Sequence, residues 1–363
     1  MRVLVAMSGG VDSSVAAALL VERGHEVVGA TLKLWGGPSD SGCCSVADVD
    51  DARRVAQQLG IDHHVFNLTE EFDRHVVAPY VGEHARGRTP NPCIECNRSM
   101  KFDRLLGRSE RLGFDRLATG HHARVSEGGE EGDGGGDSVW RLRRGADGVK
   151  DQSYVLSMLG QDALARVLFP VGDMTKDEVR AHARRLGLRT AAKPDSQDVC
   201  FIRDAEGRQG FLSRRMELHP ADVVDSAGRP AGSVEAVELV TVGQRRGMGH
   251  ASDGTRRYVT HVDVAARRVT VGNAADALLS SVVLAAPSLT WVDRPPDPGA
   301  RAVAQVSAHG PPAACTVDRV DGADSADLEV RFDAPQRPIA PGQTVALYDA
   351  QDPDAVLGAG IAA

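Results

Sequence analysis

Residues 3–20 read VLVAMSGGVDSSVAAALL, and this stretch decides the fold of the N-terminal half. An apolar run rich in valine leads into Ser8-Gly9-Gly10-Val11-Asp12-Ser13-Ser14, which is followed by a second apolar run. Glycine lets the backbone turn tightly and approach a ligand closely. Ser13 and Ser14 place small hydroxyls at a predicted helix N-terminus, where N–H groups and the helix dipole favour an anion. The stretch therefore predicts a strand, a phosphate-binding loop and a helix in succession.

The loop lacks the lysine of the G-x-x-x-x-G-K-[ST] pattern that P-loop nucleotide hydrolases carry. It resembles instead the PP-loop, S-G-G-x-D-S, of the ATP pyrophosphatase family. This resemblance implies an enzyme that cleaves ATP between the α and β phosphates and adenylates an oxygen of its substrate. It also implies that the loop cradles pyrophosphate and that Asp12 helps to hold Mg²⁺.

Strand-like and helix-like segments alternate through the N-terminal half. Alternation of this kind predicts an α/β domain built on a parallel sheet that is covered on both faces. The segments with these patterns are 2–7, 26–32, 64–68 and 116–119 for strands and 14–22, 46–59, 151–161 and 175–186 for helices.

After about residue 205 the pattern changes to short β-like runs separated by Gly and Asp turns. These runs lie at 221–224, 238–242, 257–263, 267–271 and 282–286, and further short strands follow from 289 onward. The predicted organisation has three parts. They are a Rossmann-like PP-loop catalytic domain over 1–205, a small central domain over 206–280 and a C-terminal β-barrel over 281–363.

Bulk composition is that of a globular enzyme, with 42% apolar and 25% charged residues. No stretch approaches the roughly 18 consecutive apolar residues of a membrane span, and we expect a cytoplasmic protein. The six cysteines are then expected to be reduced, so their clustering favours catalysis or metal binding over a structural disulfide framework.

The formal net charge of −8 argues against binding nucleic acid through bulk charge. A local basic region is nevertheless present, because residues 244–268 hold six Arg against Asp253 and Asp263, a local charge of +4. Such a run could track phosphates. The region 293–354 is instead acidic, with eleven Asp or Glu against five Arg.

Five further segments match the sequence motifs of one known family, and they follow one another along the chain in the same order as in that family. They are TPNPCIECNRSMKFD (89–103), GHHARV (120–125), KDQSY (150–154), DSQDVCFI (195–202) and TVGQRRGMG (241–249). Together with the phosphate loop, they make the chain resemble the tRNA-specific 2-thiouridylases. The resemblance implies an enzyme that uses ATP and a protein-borne persulfide to convert the wobble uridine of tRNA, position 34, into 2-thiouridine. AMP and pyrophosphate are the other products.

The resemblance also implies roles for individual residues. Cys200 would accept sulfur as a persulfide from a donor such as a cysteine desulfurase or a persulfide carrier. Cys96 would be its catalytic partner, and the two would form a disulfide at some stage. The residues implied to bind ATP are Ala6, Met7, Ser8, Gly9, Gly10, Val11, Asp12 and Ser13, with Leu32 and Gly120 around the adenosine.

Contacts to tRNA are implied in the same way. Asn91, Pro92 and Cys93 would lie against the target base. The residues implied to contact the rest of the tRNA are His121, Lys150, Asp151, Gln152 and Gln343. In the acidic C-terminal module, tRNA binding therefore rests mainly on Gln343.

The chain departs from the family at Cys93, where members commonly carry an Asp with an acid/base role. That role could fall to Cys93, Asp195, Asp198 or water. A second possibility is that Cys93, Cys96 and Cys200 bind an iron–sulfur cluster with one open iron, although such clusters usually take four cysteines.

A structural zinc, a ligase activity and a purely RNA-binding role also stay open. Cys43, Cys44, Cys93 and Cys96 would supply the four ligands that a structural zinc requires, but the adjacent pair is an unusual spacing. The chain could instead be an amide or amine ligase of the PP-loop class, which needs no cysteine. It could also be a metal-stabilised RNA-binding protein with no enzymatic activity.

Overall fold

A computed structural model describes residues 1–35, 45–128, 139–195, 199–202, 206–320 and 327–363. Cys43, Cys44 and Asp198 lie outside these ranges, as does most of the Gly-rich segment 126–138. Among the helices that the structure describes, none combines the length and the apolar character needed to cross a bilayer.

The N-terminal region is built on a parallel sheet. Its strands and a neighbouring hairpin are, in chain order, β1 (Arg2–Ala6), β2 (Glu26–Lys33), β3 (Asp62–Asn67), β4 (Arg116–Thr119), β5 (Ala123–Gly128), β6 (Val139–Arg144) and β7 (Val167–Leu168). The sheet has the order β3-β2-β1-β4-β7, and its paired strands are all parallel. The strand order therefore reverses between β1 and β4, and ligands of such sheets bind at the carboxyl ends of the strands at this point.

Helices cover both faces of this sheet, as the sequence predicts. The α-helices are α1 (Val11–Glu22), α2 (Val46–Leu59), α3 (Thr69–Phe72), α4 (Ala78–Ala85), α5 (Pro92–Glu95), α6 (Leu106–Arg111), α7 (Ser153–Leu156), α8 (Gln161–Leu164), α9 (Lys176–Arg185) and α10 (Gly207–Ser213). π-Helical turns cover Asp73–Val77 and Cys96–Leu105, and 3-10 turns cover Arg189–Ala192, Val237–Leu239 and Ala286–Ser288. Val3 and Val5 pack into one core, and Leu4 between them packs into another on the opposite face.

Two helix predictions had different outcomes. The capping box that Thr175 and Glu178 predict is present at the start of α9. The single helix predicted over 151–161 is wrong, because α7 ends at Leu156 and Gly160 has an extended backbone before α8 begins. Apolar residues at 156, 158 and 159 are all buried, so burial rather than helix formation explains their spacing.

The middle region contains β8 (Ala221–Asp225), β9 (Pro230–Val234), β10 (Tyr258–Asp263) and β11 (Arg268–Gly272), paired in the order β10-β11-β8-β9. The strand predicted over 238–242 is wrong: this segment contains the 3-10 turn Val237–Leu239. Val237 and Val240, three residues apart, both enter the core of this region. That spacing suits a 3-10 turn, in which residues i and i+3 eclipse, and not a strand.

The C-terminal region is an antiparallel sheet that curls on itself. Its strands are β12 (Leu279–Leu284), β13 (Thr290–Trp291), β14 (Ala300–Gln305), β15 (Ala313–Arg319), β16 (Leu328–Gln336), β17 (Thr344–Asp349) and β18 (Val356–Ile361), paired in the order β12-β16-β15-β14-β17-β18-β13. A bridge between Leu284 and Ala362 brings the end of β12 to the residue after β18. The predicted barrel-like form is therefore present.

His84 of α4 connects the N-terminal and middle regions. It is buried, lies edge-on to Tyr80 with ring centroids 4.6 Å apart, and hydrogen bonds with the backbone of Glu238. Burial, helped by the charge of Arg208, lowers the pKa of His84 to about 4 from 6.5, although the Glu238 bond and Glu83 oppose the change. His84 is therefore neutral at this junction near pH 7.

Acid is expected to destabilise the protein through His84. Below about pH 6.5 the unfolded chain binds a proton at this position and the folded chain does not, so stability falls down to about pH 4. At pH 5 this loss is about 2 kcal/mol. Urea unfolding of His84→Gln at pH 7.5 and pH 5 should show a correspondingly smaller loss than the parent. His250→Gln, at an exposed position, is the control and should behave as the parent; equal losses in both variants would contradict the expectation.

Candidate active site

The predicted phosphate loop runs from the end of β1 into α1, which begins at Val11. Gly9 has a φ of 74° and approaches Asp48 so closely that a Cβ would overlap the Asp48 carbonyl oxygen. The Ser8 N–H donates to Ser13 Oγ over 3.2 Å. These contacts hold the loop against the first turn of α1, the position from which a helix N-terminus binds an anion.

The strands on either side of β1 support the loop. Thr31 Oγ1 of β2 donates to the Met7 carbonyl over 2.7 Å, and Leu32 lies buried one residue further along β2. On the other side, Gly120 follows β4, and a Cβ there would lie 2.5 Å from Ser13 N. The predicted ATP-binding residues of β1, β2 and the end of β4 are thus brought together at the strand-order reversal.

Asp12 of the loop is held by two side chains that the sequence did not single out. Lys176 Nζ, from the first residue of α9, donates to Asp12 Oδ1 over 2.8 Å and to Oδ2 over 2.7 Å. His122 Nε2 lies 3.2 Å from Asp12 Oδ1. Burial raises the pKa of Asp12, but the hydrogen bonds with His122 and Lys176 outweigh burial and leave the pKa below its usual value. The loop that lacks a lysine of its own therefore receives one from 164 residues downstream.

Asp195 lies beside this cluster, five residues before Cys200. Its Oδ1 accepts from Lys176 over 2.8 Å and from Arg180 over 2.9 Å, and its Oδ2 accepts from Lys150 over 2.7 Å. Burial raises the pKa of Asp195, but the hydrogen bonds and charges of Lys150 and Lys176 outweigh burial and hold the pKa far below its usual value. Asp195 is therefore a constant negative charge and a poor proton acceptor.

Lys193 ties the same segment to the phosphate loop from the other side. Its Nζ donates to the Gly9 carbonyl over 3.0 Å, to Asp48 Oδ1 over 2.6 Å and to Asp51 Oδ2 over 2.8 Å. Residues 193–195, which lead to Cys200, are thus bound to the loop, to α2 and to α9. No local pattern in the sequence indicates these contacts.

His121, a predicted tRNA contact, lies in the interior. Its ring centroid is 5.9 Å from those of both Phe102 and Phe169, and its Nδ1 is 2.6 Å from Thr119 Oγ1. Burial, with the charge of Lys101 nearby, lowers its pKa well below 6.5. Its neighbour His122 is the histidine that contacts the phosphate loop, and contact of His121 with tRNA stays a prediction.

The segment carrying Cys93 and Cys96 is shaped by Asn91. The Asn91 side chain accepts from the N–H groups of Cys93 and Ile94 over 3.0 and 3.4 Å, and Pro92 is the first residue of α5. Cys96 follows α5 and begins a π-helical turn, a conformation that is frequent at functional sites. Cys93 and Cys96 are half-buried thiols.

The residues on either side of Cys200 fix the position of its backbone. Val199 has a φ of 52°, which is strained for a β-branched residue. Phe201 is buried, and its ring centroid lies 5.5 Å from that of Tyr80. Burial raises the pKa of Tyr80, and so does the charge of Cys93. Tyr80 therefore contacts the segment of Cys200 and is within electrostatic range of Cys93. Both Cys96 and Cys200 pack against one hydrophobic core.

Three family models match the chain in succession. They are the tRNA methyl transferase HUP domain over residues 1–204, the tRNA methyl transferase PRC-barrel domain over 209–273 and the aminomethyltransferase beta-barrel domain over 281–362. The tRNA-specific 2-thiouridylase MnmA of Roseiflexus castenholzii is 45% identical over 99% of this chain and 98% of that protein. The protein of the same name from Thermobifida fusca is 42% identical over 99% of this chain and 94% of that protein.

The chain belongs to the tRNA-specific 2-thiouridylase family. The descriptions of the three family models contain the word methyl transferase or aminomethyltransferase. The relatives, in contrast, are named thiouridylases. The family resemblance predicted from the sequence is confirmed.

The cysteines among the described residues are not arranged as a metal site. Within the described ranges, no three His, Cys, Asp or Glu side chains are arranged to hold a metal ion. Cys93, Cys96 and Cys200 therefore do not form a three-thiolate site in this conformation, and a structural zinc needs Cys43 and Cys44, which lie outside those ranges. Mg²⁺ commonly uses one or two carboxylates together with substrate phosphates, and Asp12 in the phosphate loop fits that requirement.

The remaining predicted tRNA contacts of this family member fall into two groups. Asp151 is buried, and its carboxylate accepts from Arg144, from the Gly145 N–H and from Ser153. Gln152 Oε1 accepts from the His122 N–H over 2.9 Å. The side chains of Asp151 and Gln152 therefore bind the backbone next to β6 and β5. Lys150 instead forms an ion pair with Asp195.

Gln343 lies in the C-terminal region, beside the segment that precedes Asn91. The Thr89 N–H donates to the Pro341 carbonyl over 2.7 Å, and a Cβ on Gly342 would lie 3.0 Å from Thr89 N. The Gln343 side chain accepts from the Ala340 N–H over 2.7 Å. The structure thus brings Gln343 near the base-binding segment that the sequence predicts, although the two lie far apart along the chain.

Proposed function

We propose that the chain is an ATP-dependent tRNA 2-thiouridylase acting on the wobble uridine. One observation carries the proposal: Lys193, in the segment that precedes Cys200, binds the phosphate loop at the Gly9 carbonyl, in a chain whose relatives bear that name. The proposal includes a catalytic domain over 1–205, a central domain over 206–280 and a C-terminal barrel over 281–363, which the matched ranges support. It also includes a cytoplasmic location, where reduced thiols persist.

The chemistry needs ATP because a uracil C2 oxygen is a poor leaving group. The phosphate loop and Lys176 hold the triphosphate, and the C2 oxygen attacks the α phosphorus with release of pyrophosphate. Asp12 would hold Mg²⁺, which would neutralise part of the phosphate charge. The adenylated oxygen can then leave as AMP.

Sulfur transfer follows from two thiols. Cys200 carries an outer sulfur obtained from a cysteine desulfurase or persulfide carrier, and this sulfur attacks C2. Cys96 then attacks the inner sulfur, which breaks the sulfur–sulfur bond of the persulfide and forms a Cys96–Cys200 disulfide. A thiol reductant returns two electrons and restores both thiols.

The mechanism also needs a group that transfers a proton at the base. Asp195 is a poor choice because Lys150 and Lys176 hold its pKa far below the usual range, although burial opposes them. Cys93 is the better one, since Asn91 fixes its backbone at the start of α5. We assign proton transfer at the base to Cys93 or to a water beside it.

The direct test is reconstitution. Purified protein is incubated with tRNA for Lys, Glu or Gln, ATP, Mg²⁺, cysteine and a cysteine desulfurase, and nucleosides are analysed by mass. We expect 2-thiouridine with matching AMP and pyrophosphate. No 2-thiouridine under either aerobic or anaerobic conditions would overturn the proposal, and activity only without oxygen and with bound iron would favour a cluster-dependent thiolase.

Binding of tRNA is expected to involve exposed arginines of the central domain. Within the described residues no ion pair engages those at 245, 246, 256, 267 and 268, all of which are exposed. Replacing Arg245 and Arg246 by Ala should weaken binding at low salt and reduce the slope of log affinity against log salt by about 1.5 if each contacts one phosphate. Arg301, exposed but paired with Asp333, is the control. An unchanged salt slope in the double variant would contradict this role.

A further inference from the structure

The short helix α7 lies between the C-terminal barrel and α5. On the barrel side, the Tyr154 hydroxyl donates to the Thr344 carbonyl over 3.0 Å, and Ser153 Oγ lies 3.0 Å from the Tyr348 hydroxyl. Tyr154 is only 2% exposed. Two buried hydrogen bonds therefore attach α7 to β17 of the barrel.

The other side of α7 contacts the cysteine segment, defined as residues 89–103. Burial raises the pKa of Tyr154, and a hydrogen bond with the Asn91 side chain opposes this rise. The Asn91 oxygen already accepts from backbone N–H groups of α5, so its amide group is the donor to Tyr154. Asn97, which follows the second cysteine of the segment, donates to the Val155 carbonyl over 3.4 Å. The two cysteines therefore lie between two side chains that α7 holds.

A second attachment joins the barrel to the start of the cysteine segment. The Thr89 N–H donates to the Pro341 carbonyl over 2.7 Å. Gly342 has a φ of 89° and lies so close that a Cβ there would be 3.0 Å from Thr89 N. Arg88 Nη2 donates to the Ala362 carbonyl over 2.9 Å. The start of the segment is therefore fixed to two backbone carbonyls of the C-terminal region.

The link from this second attachment to Cys93 is stiff. Thr89 and Asn91 each precede a proline, which restricts their backbones to extended conformations. The rings of Pro90 and Pro92 fix φ near about −65°. A displacement at Thr89 is therefore passed along the backbone to Cys93, because the residues between them have little rotational freedom.

We propose that Tyr154 is a positioning residue through which the C-terminal barrel fixes the base-binding segment, residues 91–93. The inference rests on the proposed function, because the target uridine would lie against that segment. It gives the barrel, whose region 293–354 is acidic, a role other than holding tRNA: the barrel sets where the base meets the α phosphorus of ATP. Loss of the Tyr154 hydroxyl then slows the reaction of bound tRNA and leaves the affinities for tRNA and ATP unchanged.

The test compares Tyr154→Phe with the parent protein in the reconstituted reaction. Pyrophosphate release and 2-thiouridine formation are measured at saturating tRNA and ATP, and Kd values for tRNA and ATP are measured by calorimetry. We expect kcat for both products to fall about 10- to 100-fold, the cost of misplacing a reacting group by up to about 1 Å. Both Kd values should stay at those of the parent.

Tyr348→Phe is the matched control. It also removes a buried hydroxyl from the contact between the barrel and α7, but that hydroxyl faces Ser153 and not the Asn91 side chain. We expect Tyr348→Phe to lose some stability in urea and to keep the parent kcat. An equal loss of kcat in both tyrosine variants would indicate general loosening of the contact and would overturn the role of Tyr154.

Gly342→Ala tests the second attachment, and it decides the question if Tyr154→Phe does not fold. The added Cβ would press on Thr89 N. Gly299→Ala is its control, because Gly299 is a glycine of the same C-terminal region with a φ of 80°, and a Cβ there would have no neighbour within 4 Å. Both variants carry similar backbone strain, but only Gly342→Ala should lower kcat. Equal kcat values in these two variants would contradict the second attachment.

Failure of the inference differs from failure of the proposed function. In a parent protein that thiolates tRNA, an unchanged kcat in Tyr154→Phe would overturn the inference alone. Weaker tRNA binding with an unchanged kcat would do the same, because the barrel would then be a tRNA-binding surface only. A parent protein that neither releases pyrophosphate with tRNA nor forms 2-thiouridine would overturn both.

Discussion

Cys200→Ser is expected to form no measurable 2-thiouridine while still releasing pyrophosphate when ATP and tRNA are both present. A hydroxyl cannot carry a persulfide sulfur, whereas in the proposed mechanism adenylation depends on the phosphate loop, Asp12 and Lys176. The substitution is nearly isosteric and leaves the buried anchor Phe201 in place, so the fold should persist. Nucleoside mass analysis and a pyrophosphate burst assay on the same sample provide the measurement.

Cys315 offers the matched control. It is buried on β15, its Sγ lies 3.4 Å from the Ala302 carbonyl, and burial raises its pKa to about 11. Cys315→Ala should therefore keep thiolation, with a small loss of stability. Full turnover in Cys200→Ser would contradict the sulfur-carrying role and would favour a PP-loop ligase that needs no cysteine.

Gly120→Ala is expected to lower kcat/KM for ATP about 100-fold, the cost of displacing a catalytic group by about 1 Å. The added Cβ would lie 2.5 Å from Ser13 N and 2.6 Å from the Asp12 carbonyl carbon. These are backbone atoms, so no side-chain rotation relieves the overlap and the loop itself must shift. ATP-dependent pyrophosphate release and calorimetric ATP binding provide the measurement.

Gly148 serves as the control for this substitution. A Cβ on Gly148 would have no neighbour within 4 Å, and its loop lies close to Lys150. Gly148→Ala should therefore leave ATP binding and pyrophosphate release unchanged. Equal kinetics in the two variants would mean that the close approach of β4 to the loop does not matter for nucleotide binding.

Local features of the site were predictable because they depend on neighbouring residues. Two glycines and two serines after a valine-rich strand require a tight turn and leave a helix N-terminus, which is what 3–20 forms. The capping box was predictable for the same reason, because Thr175 and Glu178 are only three residues apart. The strand predicted over 238–242 failed because the burial of Val237 and Val240 was decided by the core of the middle region.

The sequence by itself determined the phosphate loop, the order of strands and helices around it, and the family to which the chain belongs. Only the tertiary structure decided that Lys176 and His122 hold Asp12 and that Lys176 also reaches Asp195. The physical reason is distance along the chain. Turns and caps follow from backbone preferences within a few residues, whereas an ion pair between positions 164 residues apart exists only once the sheet has brought β1, β4 and α9 together.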